Sequence, residues 1–184
     1  MKNSFHFFIG FSLLVLIAVY GCSGNPEKEI KAAEQAMDEA SSYHAEEVAA
    51  TDWEHAMDAF KEGQAAVKNG KPAKSHFIKA RSRFEQTAAI AKSRQDDLAK
   101  EVSGLRLSID ERFSKVRAIL EKGGVRSSLL KQVNPIVAEA EAGNKSISDL
   151  VTQENYLQAR EMAKEVQRKI YNAELILAGR RPVP

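Results

Sequence analysis

From Ala73 to Lys122 no proline interrupts the chain, and apolar or small residues recur three or four positions apart throughout. Phe77, Ala80, Phe84, Thr87 and Ala91 lead on to Leu98, Val102, Leu105, Ile109, Phe113, Val116 and Leu120. This period places one face of an α-helix toward a core and does not suit a strand, whose faces alternate every second residue. A continuous helix of about 49 residues there would be roughly 73 Å long at 1.5 Å per residue. Gly104 is its weak point, at about 1 kcal/mol relative to Ala, and Gly123-Gly124 ends it.

The same spacing recurs on either side. Ile30, Ala33, Met37, Ala40 and His44, with Val48 a turn further, form one segment behind Asn25-Pro26-Glu27, a suitable N-cap sequence. Trp53, Ala56, Phe60, Gly63 and Val67 form a second, where Thr51 and Glu54 have capping-box spacing, and Asn69-Gly70-Lys71-Pro72 stops it. Leu130, Val133, Val137, Ala140, Asn144, Ile147 and Val151 form a fourth, in which Pro135 predicts a kink or a late start capped by Asn134. Tyr156, Ala159, Ala163, Val166, Ile170, Ala173 and Leu177 form a fifth, ended by Gly179. Short links require antiparallel neighbours. The expected fold is therefore all-α: an elongated antiparallel bundle of about five helices, arranged as two three-helix bundles sharing the long central helix. The alternative breaks that helix near Gly104 and folds its halves together.

The first residues differ from the rest. Lys2 is the only charged side chain before Glu27, and Phe5 to Tyr20 is apolar except for His6, Gly10 and Ser12. A basic start followed by about 16 apolar residues is short for a membrane span, which needs roughly 20. The stretch closes on Val19-Tyr20-Gly21-Cys22, followed by Ser23-Gly24-Asn25, and Cys22 is the only cysteine in the chain. This resembles the signal of bacterial lipoproteins, whose lipobox sets a small residue before an invariant Cys. The resemblance implies a diacylglycerol thioether on Cys22, cleavage after Gly21 and acylation of the new amino terminus. Ser23 rather than Asp after Cys22 implies, by the same resemblance, sorting to the outer membrane, facing the periplasm. The expected division is a signal over 1–21, a lipidated tether over 22–26, an N-terminal helical half over 27–95 and a C-terminal half over 96–184.

Two further resemblances concern the helical part. Tyr43-His44-Ala45-Glu46, Trp53 to Phe60 and the Gly70-Lys71 turn make the stretch from Ala32 to Ala91 similar to uncharacterised Ala-rich helical envelope lipoproteins. That family implies a helical envelope protein and brings no catalytic residues. Asn155-Tyr156-Leu157-Gln158-Ala159-Arg160-Glu161-Met162-Ala163 resembles the second helix of a tetratricopeptide-like hairpin, without the full repeat.

Chemistry-bearing patterns are few. A single Cys excludes a disulfide framework and Cys-rich metal sites. With 27 basic against 25 acidic residues, the balance argues against a nucleic-acid binder. His44, His55 and His76 form no pair at i, i+4 spacing, so a helical zinc site would need three faces to converge. No nucleophile elbow and no phosphate-binding Gly loop occurs. The residues that could serve an interaction surface are Arg81, Arg94 and Arg106 on the long helix, with Asn144 on the fourth segment's apolar stripe. The functional expectation is a non-enzymatic, membrane-anchored scaffold or protein-interaction lipoprotein. It would carry covalent lipid on Cys22 and no other cofactor, with an envelope protein as partner and no nucleic acid. The alternative is an accessory lipoprotein that binds metal, peptide or glycan.

Overall fold

The computed structural model describes residues 26–182. Cys22, Gly21, the N-terminal apolar stretch and Asn25 lie outside the described residues. Six α-helices follow one another: α1 (Glu27–Ser42), α2 (Ala45–Val48), α3 (Ala50–Lys68), α4 (Lys74–Glu121), α5 (Ser127–Thr152) and α6 (Tyr156–Leu177). No strand occurs among the described residues, and none of their helices is long and apolar enough to cross a membrane. The all-α class expected from the spacing is the class observed.

The long segment is one helix. α4 runs for 48 residues and passes through Gly104 unbroken, so the broken alternative does not describe it. α1 and α3 both pack against α4, α6 also packs against α4, and α5 packs chiefly against α6. The apolar core divides between Leu98 and Val102. On the N-terminal side Phe77 and Phe84 of α4 meet Phe60 of α3 edge to face, with ring centroids 5.4 and 6.4 Å apart, and Trp53 meets Phe84 at 5.3 Å. Such rings prefer edge contacts because their faces are negative and their edges positive. Around them the core is mostly Ala: Ala33, Ala36 and Ala40 of α1, and Ala56 and Ala59 of α3. Small side chains let helix axes approach closely, so the few aromatics fill what space remains. On the C-terminal side Ile109, Phe113, Val116, Val133, Ile147, Val166 and Ile170 pack together.

Three local expectations fail for identifiable reasons. The first segment is divided: α1 stops at Ser42, and His44 adopts the left-handed conformation at φ 53° before the short α2. The Thr51–Glu54 capping box does not form, because α3 begins at Ala50 with Ala49 at its N-cap and Thr51 is already inside the helix. Pro135 does not give α5 a late start capped by Asn134: the helix starts at Ser127 and continues through the proline. The fifth segment is α6, and the Asn155 side chain caps its start by accepting from the Gln158 N–H at 3.3 Å.

Candidate functional site

The most elaborate polar arrangement sits where α4 faces the α1–α2–α3 corner. A helix leaves its last carbonyls without intrahelical partners, and two helices end within a few residues of one another there. α4 supplies the donors. Gln95 Nε2 donates to the Tyr43 carbonyl at 3.2 Å, and Arg94 donates to the Val48 carbonyl. Arg83 donates to the His55 carbonyl of α3 at 2.9 Å. The Gln95 side chain is buried, and its Oε1 has no hydrogen-bond partner among the described residues. Spacing alone does not announce these contacts: Gln95 lies on the buried side of α4 between Ala91 and Leu98, and the Tyr43 and Val48 carbonyls that Gln95 and Arg94 take stand where α1 and α2 end on either side of the left-handed His44.

Arg94 also lines an open groove of about 350 Å³ with Glu47, Asp97, Leu98, Glu101 and Arg160. Its charges are largely matched from within: Arg160 lies 3.7 Å from Glu101 and 2.8 Å from Glu161, and Lys164 lies 3.7 Å from Glu101. The hydrogen bond from Arg160, aided by Lys164, lowers the Glu161 carboxyl below its ordinary value. A second open groove, of about 420 Å³, lies between α4 and the α5–α6 turn, lined by Val102, Arg106, Leu107, Asp110, Val151 and Tyr156.

The four surface residues expected to act together are dispersed. Arg81 is exposed and pairs with Glu85 one turn on, at 2.7 Å. Arg94 is turned about 140° from it around the helix, counting about 100° per residue. Arg106 and Asn144 do meet, through Ser148. The Arg106 guanidinium donates to Ser148 Oγ at 3.3 Å, and that hydroxyl donates to the Asn144 carbonyl at 3.5 Å. Asn144 Oδ1 is buried without a hydrogen-bond partner among the described residues.

The histidines are also separate in role. His44 makes the bend, His55 is exposed on α3, and His76 Nδ1 lies 3.4 Å from Glu62. Among the described residues no three His, Cys, Asp or Glu side chains are grouped to hold a metal ion.

Two inter-helix ion contacts were not apparent from spacing. Arg112 of α4 meets Glu174 of α6 at 2.6 Å with both side chains mostly buried, and its guanidinium lies over the Tyr171 ring at 5.0 Å. Lys169 of α6 reaches Glu139 of α5 at 3.1 Å, and lies as close to Glu165 one turn back on its own helix. Its ammonium is held above its ordinary pKa by hydrogen bonds to Glu139 and then Glu165. No protein-family model matches the chain, and no curated protein or solved structure matches it either.

Proposed function

We propose that this chain is a lipid-anchored lipoprotein of the bacterial envelope, carrying lipid on Cys22 after cleavage at Gly21, and that its helical body acts as a non-enzymatic scaffold or protein-interaction module on the periplasmic side of the outer membrane. The observation that carries the reading is the position of the only cysteine, directly after an apolar stretch with a basic start and directly before a polar tether. Two or more acyl chains hold a protein on a bilayer stably where one does not. The mechanism is then positional: anchoring raises the local concentration of the helical body beside an envelope partner.

The body suits such a role. α4 extends about 72 Å at the usual helical rise and serves both apolar clusters, so surfaces built on its two ends are held apart by one rigid element. Two three-helix bundles sharing α4 is the arrangement we propose for it. The test is metabolic labelling with a tagged fatty acid in a bacterial host. The native chain is expected to incorporate the label and the Cys22→Ala variant to incorporate none; an unlabelled native chain would overturn the proposal.

A further inference from the structure

The buried residues of α4, from Phe77 through Gln95 and Val102 to Val116, occupy one side of the helix. At about 100° per residue, the opposite side is traced by Asp96, Lys100, Gly104, Leu107, Glu111 and Lys115, all of them exposed. Two features of this stripe depart from an ordinary solvated face. Leu107 is 71% exposed, the most exposed of the large apolar side chains on the described surface. Gly104, one turn before it, has no atom within 4 Å of the position a Cβ would take. A large apolar knob therefore stands beside an open site with no side chain.

The stripe is complementary to itself when reversed. Laid antiparallel against a second copy about a two-fold axis between Leu105 and Arg106, Leu107 of each chain falls opposite Gly104 of the other. Lys100 then falls opposite Glu111, Asp96 opposite Lys115, and Ser93 opposite Ala118. Every charged position meets its opposite sign, and each pairing occurs twice, as a closed two-fold interface requires. The parallel arrangement would instead set each of these residues against its own like charge.

Nothing within one chain competes strongly. Lys100 contacts Asp97 at 3.3 Å and Lys115 contacts Glu111 at 2.6 Å, but all four side chains are well exposed. Exposed pairs of this kind contribute little and can exchange partners at little cost. Side chains at the contact set how near two helix axes come, and Gly104 is where the approach would be closest.

We infer that the outward face of α4 binds a second copy of this chain, antiparallel, with Leu107 seated over Gly104 of the partner. A single-helix contact of this kind makes a weak, reversible dimer rather than an obligate one. The inference is independent of lipid attachment.

Sedimentation equilibrium of the full chain in density-matched detergent tests it. The expected result is a two-chain particle whose fraction rises with protein concentration. Leu107→Glu and Lys100→Glu should each weaken association by roughly tenfold, since two-fold symmetry counts each change twice. The double variant Lys100→Glu with Glu111→Lys should recover it. These positions are exposed, so folding, read by circular dichroism, should not change. Single-chain particles at every concentration would overturn the inference. So would dimers indifferent to Leu107→Glu, or a charge swap that fails to restore what Lys100→Glu removes.

Discussion

Gly143 and Gly104 are both glycines inside long helices, yet their surroundings set them opposite roles. A Cβ at Gly143 would lie 2.5 Å from Val166 Cγ2 on α6, so the missing side chain is what lets α5 and α6 pack. A Cβ at Gly104 would meet nothing within 4 Å. Gly143→Ala is expected to lower stability by about 1–2 kcal/mol, since overpacking at a β-branched neighbour outweighs the gain of about 1 kcal/mol in helix propensity. Gly104→Ala is expected to raise it by about 0.5–1 kcal/mol. Urea unfolding of the two variants checks both signs. Lys169 supplies a pH-dependent contribution. Its folded pKa is raised above the ordinary lysine value of 10.5 by its two glutamates, so its stabilisation is fully present below that value and is lost as pH rises through the folded pKa. The stability difference between the native chain and Lys169→Met should therefore be largest near neutral pH and shrink in strongly alkaline solution, as read by denaturant titrations at the two pH values. Neither behaviour was legible in the sequence. Gly143 lies three residues after Ala140 and four before Ile147, where a missing side chain leaves no mark in the apolar spacing, and Lys169 sits among other charges, so only the neighbouring helix shows what each one meets.

At the scale of elements, the 3–4 spacing translated directly into helices because it is a property of the backbone period. α4, α5 and α6 follow their apolar stripes closely: Phe77, Phe84, Val102 and Ile109 are buried on α4, and Ala159, Val166 and Ile170 on α6. The ends were less legible. Thr51 and Glu54 have the right separation for a cap, but the helix starts ahead of them. At the break at His44, Gln95 and Arg94 take the Tyr43 and Val48 carbonyls, contacts between residues 52 and 46 positions apart in the sequence. The Arg112–Glu174 pair likewise joins two elements whose contact no local pattern announces. Arg112→Met should cost about 1–3 kcal/mol, because it leaves a mostly buried carboxylate without its partner. Adding Glu174→Met should recover most of that loss, since replacing both members of a poorly solvated pair by apolar groups is often close to neutral. A double-mutant cycle by chemical denaturation measures the coupling; simple additivity of the two changes would show that the pair does not act as one.

For the molecule as a whole, two apolar clusters meet on one uninterrupted helix, and the polar residues around them are largely paired within the chain. Arg94 and Arg106, which the sequence offers for an interaction surface, direct their guanidiniums at the Val48 carbonyl and at Ser148. The outward face instead carries Leu107, which is out of phase with the apolar stripe and so did not stand out in the spacing. The functional reading rests on Cys22, a residue whose chemistry is legible only from its place in the sequence. Intact-mass analysis of the protein recovered from bacterial membranes therefore tests the account most directly. It predicts a polypeptide beginning at Cys22 and heavier than the bare chain by a diacylglycerol thioether and an amino-terminal acyl group. A chain that retains residues 1–21, with Cys22 at its unmodified mass, would contradict it.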